Sequence, residues 1–229
     1  MTGPIQNVTW PCPDYNRKEI LRYAGAREAT PEVSELMESC IQEVHDKLLY
    51  RVCWKEFPIQ ADAGGLDLGF ARCTSASLAR NLTGCDHIVL FAATVGVGLD
   101  RLIARYNRLS PARALMFQAI GAERIEELCD AFNARITREK EEQGRATRPR
   151  YSPGYGDLPL EMQTDIFAVL DCPRQIGLTL NNSLLMSPSK SVTAIIGVVQ
   201  PGADPRPGRT TPSGCAACGT PSCYARRTP

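Results

Sequence analysis

The chain has 229 residues, 43% of them apolar, and a formal net charge of +1. That length supports one sizeable core or two small ones, and the near-neutral charge gives no support to non-specific nucleic-acid binding. No basic segment leads into an apolar one as in a secretion signal, and the longest apolar run, around Ile88 to Leu99, is too short and too glycine-rich for a membrane span. A cytoplasmic protein with no membrane or nucleic-acid partner is therefore expected. Ten cysteines are many, but without a secretion signal they do not argue for a disulfide framework. Seven are scattered (Cys12, Cys40, Cys53, Cys73, Cys85, Cys129 and Cys172) and read most simply as small hydrophobes.

In chain order, residues 1 to 30 read as an N-terminal arm, 31 to 200 as the core, and 201 to 229 as a linker and cysteine-rich tail. Residues 1 to 16, with Pro4, Pro11 and Pro13, look irregular. Asn16 and Glu19 form a capping-box pattern for a short helix from Arg17 to Tyr23, stopped by Gly25. Thr30-Pro31 is a stronger helix start. Beyond it Val33, Leu36, Met37, Cys40, Ile41, Val44, Leu48 and Val52 recur at three and four, predicting an amphipathic helix of about six turns. His45 falls on its polar side and reads as solvated rather than ligating. Phe57 to Ile59 and Leu66 to Leu68 read as short strands, and Ser75 to Leu82 as a helix. Cys85 to Thr94 is apolar almost throughout, which predicts a strand covered on both faces.

The corner Thr94-Val95-Gly96-Val97-Gly98 lacks the third glycine of a dinucleotide fingerprint, so a tight strand-to-helix turn is the leading reading. Leu99 to Tyr106 is a helix, and Ser110-Pro111 starts another that runs past Ile136 into the charged stretch ending near Gln143. Gly121 is a candidate break in it. Asp157 and Pro159 are the expected cap and first residue of a helix from Leu158 to Leu170, stopped by Pro173. Gln175 to Leu180 and Ser191 to Gln200 read as strands. The whole predicts an α+β fold: one compact domain with a twisted, mainly antiparallel sheet flanked by helices.

Two stretches carry chemistry. The first is Arg150-Tyr151-Ser152-Pro153-Gly154-Tyr155. Pro153 confines the residue before it to extended geometry and Gly154 can take a positive φ. Such a turn can hold a guanidinium and two phenols rigidly without a helix or strand beneath them, although a surface turn with a solvated arginine would read the same. The second is Cys215-Ala-Ala-Cys218-Gly-Thr-Pro-Ser-Cys223. C-x2-C wraps two thiolates round one ion in zinc and iron-sulfur sites. With Cys223 there are three soft ligands and no fourth in the tail; Cys12 is the candidate with loop freedom, an open coordination position is the alternative, and a simple thiol-rich tail remains the plain reading.

Arg150 to Tyr155 resembles the R-x-x-P-G-Y motif of the activation (reactivation) domain of cobalamin-dependent methionine synthase. Ile176-Gly177-Leu178-Thr179, Asn182-Ser183 and Met186-Ser187-Pro188-Ser189-Lys190-Ser191-Val192 resemble a second block of that family, in the same order and at the same separation. The Thr94-Val95-Gly96 corner is similar to one in free-standing homologues. The resemblance spans about residues 30 to 200, is specific in its C-terminal third, and implies that family's fold.

It also implies a binding site for S-adenosylmethionine. Arg150 would clamp the methionine carboxylate, Pro153, Gly154, Met186 and Ser189 would help form the site, and Tyr155 would lie nearest the chemistry. The implied role is reductive remethylation of cob(II)alamin, with electrons from flavodoxin, ferredoxin or another low-potential donor. The block after the tyrosine departs from the family's P-x-C-P-D, reading Gly156-Asp157-Leu158-Pro159. No D-x-H-x-x-G cobalamin-ligand motif is present around His45 or His87, so the resemblance implies a stand-alone subunit meeting a corrinoid-binding methionine synthase that lacks its own activation domain. The cysteine tail is foreign to the family domain; a zinc or iron-sulfur centre there rests on the C-x2-C-x4-C spacing alone, and a redox centre could deliver the electron in place of flavodoxin. An accessory or electron-transfer role for another corrinoid methyltransferase, and a non-catalytic scaffold with a zinc-bound tail, remain the alternatives.

Overall fold

In the computed structural model, residues 3–26 and 29–203 are described. In chain order they form β1 (Gln6–Thr9), α1 (Arg17–Tyr23), α2 (Pro31–Val44), β2 (Arg51–Pro58), β3 (Gln60–Asp62), β4 (Gly65–Asp67), β5 (Arg72–Cys73), α3 (Ala76–Asn81), β6 (Cys85–Thr94), α4 (Gly98–Leu109), α5 (Pro111–Glu141), α6 (Met162–Leu170), α7 (Cys172–Ile176), β7 (Thr179–Leu180), β8 (Met186–Ser187) and β9 (Ser191–Val199).

The main sheet has the order β1-β2-β6-β9 and every pairing in it is antiparallel. Because side chains alternate along a strand, β6 supplies two cores at once. Val89, Phe91 and Ala93 face a layer built from α1, α2, α4 and α5. Ile88, Leu90 and Ala92 face a second layer holding α3, α6, α7 and residues of the small β3-β4-β5 sheet. This double burial is why β6 reads as an apolar run from Ile88 to Ala93, as expected from sequence. The α+β architecture with a mainly antiparallel sheet flanked by helices is thus observed. Among the described residues no helix is long and apolar enough to cross a membrane.

Several local expectations are corrected. Helix α2 ends at Val44, a 3₁₀ turn spans His45–Lys47, and Val52 lies on β2. The three-and-four spacing continued past the true end because Val52 and Trp54 are buried by strand alternation, with Val52 opposite Ala93 and Trp54 opposite Phe91. Residues 6–9 are an edge strand, not irregular; only Val8 is half-buried there, so the segment carries no apolar alternation. Helix α6 begins at Met162 rather than Leu158 because the side chain of Asp157 is engaged elsewhere. It accepts bonds from the Ser75 hydroxyl (2.5 Å) and the Ala76 and Ser77 amides (2.8 and 3.0 Å), at the head of α3. Pro173 lies in the first turn of α7, which occupies the place where a strand from Gln175 was expected, and only Thr179–Leu180 is extended. Helix α5 runs unbroken through Gly121. A Cβ there would lie 2.2 Å from Leu99 Cδ2, so the glycine allows α4 and α5 to approach closely.

The chain between α5 and α6 positions the site. Residues 146–151 run antiparallel along the free edge of β9: Val199 N–H donates to the Ala146 carbonyl and Arg148 N–H to that of Gly197, each at 2.8 Å. Tyr151 and Ile195 exchange both backbone bonds at 2.8 Å. Thr147 faces Val198 and Tyr151 faces Ile195, so one extra residue sits on the outer lane, the geometry of a bulge. The Thr137 and Thr147 hydroxyls, 2.7 Å apart, tie this lane to α5.

Candidate functional site

Where the outer lane leaves β9 it forms one wall of a cavity of about 810 Å³, the size range of small-molecule sites. Helix α5 supplies Glu126, Asp130 and Asn133, the lane supplies Arg150 to Pro153 and Tyr155, α6 supplies Gln163, and the start of β9 and the neighbouring β8 supply Thr193 and Met186.

Arg150 occupies the α5 side. Its Nη2 donates to Glu126 Oε2 at 2.8 Å and its Nη1 to Asp130 Oδ1. The two carboxylates are one helical turn apart, which is what places both against one guanidinium. Burial works against the charge on Arg150, but the bond to Asp130 and the surrounding anions outweigh it and raise its pKa above the usual arginine value. The group is a fixed cation with two anions beside it. A guanidinium has more N–H donors than these two bonds use, so it can also grip a ligand carboxylate.

The turn after Arg150 is fastened from several directions. The Tyr151 hydroxyl donates to the Tyr155 carbonyl (3.2 Å), and Gly154 N–H donates to the Leu158 carbonyl (2.9 Å). Gly154 sits at φ +87°, in the left-handed region that disfavours side chains. Pro153 is buried beneath the turn, while Tyr155 is 68% exposed at the cavity. Pro153, Tyr155, Met186 and Arg150 thus meet around one cavity, with Gly154 shaping the turn. Ser189 does not line it; its backbone N–H donates to Asp100 Oδ1 (3.1 Å) at the head of α4. The Ser191 hydroxyl donates to the Pro188 carbonyl and accepts from the Thr94 hydroxyl, both at 2.8 Å, and Gly96 N–H donates to Thr94 Oγ1 at 3.2 Å. The Thr94-Val95-Gly96 corner is therefore a brace for the Met186 to Val192 block, in keeping with its reading as a tight turn.

Sequence reasoning did not single out Glu126, Asp130, Asn133, Gln163 or Thr193. The first three recur at four and three along the face of α5 opposite its apolar stripe, a pattern that an ordinary solvated face shares. Asn133 Oδ1, Gln163 Oε1 and Thr193 Oγ1 are buried with no hydrogen-bond partner among the described residues. All three residues line the cavity and give its wall polar character. The cysteines Cys215, Cys218 and Cys223 lie outside the described residues. Cys12, the candidate fourth ligand, is exposed with its Sγ 3.4 Å from the Tyr50 hydroxyl. Among the described residues no cluster of His, Cys, Asp and Glu has the makings of a metal site.

Residues 69–201 match the family described as "Vitamin B12 dependent methionine synthase, activation domain". The match takes in more than half of the chain, and the chain belongs to that family. No curated protein matches the sequence. A solved structure, "Crystal Structure of the MetH Reactivation Domain bound to AdoHcy", is similar in fold, with a TM-score of 0.61 at 14% identity over 87% of this chain and 79% of that one.

Proposed function

We propose that this member of the activation-domain family is a reactivation subunit for a cobalamin-dependent methionine synthase, binding S-adenosylmethionine around Arg150 and presenting its methyl group to a corrinoid on a separate chain. The observation that carries this reading is one fixed guanidinium flanked by two carboxylates in a cavity with orphaned polar atoms. A free amino acid group is a zwitterion. Its carboxylate pairs with Arg150 in a fork and its ammonium with Glu126 and Asp130. The fold relative was solved with AdoHcy, the demethylated form of the same ligand, which supports the choice of ligand class.

Tyr155 is the residue we place beside the reacting sulfonium. Its exposed ring can meet that cation face-on and shield it from water where the partner docks. Pro153 and Met186 pack the ligand's apolar parts, Gly154 holds the turn, and Ser189 acts from outside the wall through Asp100. The corrinoid, once reduced by one electron, supplies the nucleophile that takes the methyl group and leaves S-adenosylhomocysteine. This chain's residues bind and orient, which confers proximity rather than bond-making. A flavodoxin or ferredoxin is the donor class such a step requires, and a zinc or iron-sulfur centre at Cys215, Cys218 and Cys223 is part of the same proposal, as is a cytoplasmic setting.

The test combines the chain anaerobically with cob(II)alamin-loaded methionine synthase lacking its activation domain, a low-potential chemical reductant and methyl-labelled S-adenosylmethionine. Loss of the cob(II)alamin spectrum with label transfer, dependent on this chain, is expected. Equal rates with and without the chain would refute the reading.

A further inference from the structure

Far from the cavity, the chain leaves the sheet beside the start of β6. Gln200 N–H donates to the Gly84 carbonyl at 2.9 Å, and a Cβ on Gly84 would lie 3.6 Å from Ala203 Cβ. His87 follows Gly84 by three residues, roughly 10 Å at strand spacing. Its side chain is 39% exposed, but Nδ1 is buried, 3.0 Å from Asp86 Oδ1. The ring edge that meets solvent therefore carries Nε2. Asp86 is held in turn by the Arg145 guanidinium. A histidine that binds metal through one nitrogen is regularly backed by a carboxylate at the other, which fixes the ring, and Asp86 stands in that position.

Cys215, Cys218 and Cys223 supply three of the four ligands of a tetrahedral centre. From Ala203 to Cys215 is a step of 12 residues, at most about 40 Å of extended chain. His87 is reached with most of that length to spare. Cys12 belongs to the opposite end of the sheet: its Sγ is 3.4 Å from the hydroxyl of Tyr50, and the next residue, Arg51, pairs with Thr94. His87 pairs with Pro58 at the other end of the same eight-residue strand, so roughly 23 Å of sheet separates the two candidates. Cys85 is nearer, but its Sγ packs on the α6-side core, 2.8 Å from where a Cβ on Gly197 would stand. We propose that His87, through Nε2, is the fourth ligand of a structural zinc centre completed by Cys215, Cys218 and Cys223. Cys3His is a zinc donor set. Three thiolates and a neutral imidazole leave the site with one net negative charge, which Arg145 offsets. Zinc has no redox change to offer, so the centre staples the tail to the start of β6, and the electron for the corrinoid comes from a separate donor. The proposal rests on the reading of the tail cysteines as metal ligands.

The experiment measures zinc affinity of the full chain by competition with a chromophoric chelator, and ligand identity by cobalt(II) substitution. Wild type is expected to hold zinc and no iron or sulfide. Changes outside the ligand set already cost ten- to a hundredfold in affinity, so loss of a ligand in His87→Ala should cost about a hundredfold or more. His87→Cys should retain zinc, and its cobalt form should show sulfur-to-metal charge-transfer absorption stronger by about a third, as three thiolates become four, with the d–d bands moved to lower energy. This gain of signal is one that a merely structural role for His87 does not produce, and it stands even if His87→Ala fails to fold. Cys12→Ser and Cys85→Ser should leave zinc affinity unchanged. Zinc affinity within threefold of wild type in a folded His87→Ala variant, an unchanged cobalt spectrum in His87→Cys, or loss of zinc in Cys12→Ser or Cys85→Ser overturns the assignment of His87. If zinc depends on the three tail cysteines and not on His87, the tail centre stands and only its fourth ligand falls. If wild type holds no metal, both fall, and iron with sulfide in place of zinc overturns the structural role.

Discussion

Arg150→Ala is the sharpest perturbation of the proposed site. The guanidinium is only 21% exposed and stands between Glu126 (33% exposed) and Asp130 (46% exposed). Removing it deletes a charge-assisted fork to the ligand carboxylate, worth about 1.5–3 kcal/mol. It also leaves two anions facing that carboxylate. At an effective dielectric near 20 and roughly 6 Å, each like-charge pair costs about 3 kcal/mol; the solvent exposure of the two acids cuts this to a fraction. A total of about 3–4 kcal/mol follows, a loss of roughly two to three orders of magnitude in affinity. Titration calorimetry with S-adenosylhomocysteine reads it directly. Arg150→Lys restores a charge without the planar fork and should lose about tenfold. Adding Glu126→Gln and Asp130→Asn to Arg150→Ala removes the repulsion, so the ligand's carboxylate end should recover part of its binding while its ammonium end loses its partners. An affinity for Arg150→Ala within threefold of wild type would refute the clamp.

Other predictions concern the scaffold and the tail. Gly121→Ala puts a methyl 2.2 Å from Leu99 Cδ2 and 2.9 Å from Lys190 Cγ; overpacking of about 1–3 kcal/mol should outweigh the roughly 1 kcal/mol gain in helix propensity, so urea unfolding should show a net loss and an increase would argue against the close α4–α5 contact. Arg124 and Glu123 are buried as an ion pair, with Arg124 also bonding the Pro13 and Asp14 carbonyls at 2.5 and 2.6 Å; Arg124→Met should cost about 3–5 kcal/mol in the same assay, part of it regained on adding Glu123→Gln. The bonds from the Ser75 hydroxyl and the Ser77 and Ala76 amides hold the Asp157 carboxyl well below the usual range. A depressed folded-state pKa contributes stability above the unfolded value of about 4 and loses it as pH falls through the folded value. Asp157→Asn should therefore be less stable than wild type at neutral pH, with the gap closing only in strong acid; a gap that is constant with pH would contradict the assignment. Elemental analysis of anaerobically purified protein should find metal in wild type and none in the Cys215→Ser, Cys218→Ser, Cys223→Ser variant, and metal-free wild type would remove the tail centre.

Legibility from sequence followed how locally each feature is encoded. The β6 boundaries and the Asn16 and Thr30 caps are set by near neighbours and were readable: each cap's side chain accepts from the amide three residues on. The boundary between α2 and β2 was not, because Leu48 and Val52 satisfy helical spacing while pairing with β6 decides the outcome. Asp157 was the expected cap of the helix that follows it, and it does cap a helix, but one 80 residues earlier in the chain. Local spacing cannot choose between such targets.

The site divides the same way. Sequence alone singled out Arg150, Pro153, Gly154 and Tyr155, which share a Pro-Gly turn that restricts its own backbone, and, through the family resemblance, Met186; Arg150, Pro153, Tyr155 and Met186 line one cavity. Only the tertiary structure decided that Arg150 lies between Glu126 and Asp130, and that Gln163 and Thr193 line the same cavity. It also decided that Ser189 braces from outside. Those placements follow from the extra lane that residues 146–151 add to β9, which brings one face of α5 and the first turn of α6 to the same edge of the sheet. Glu126, Arg150 and Gln163 are remote along the chain, and backbone pairing at that edge is the physical reason they share a cavity.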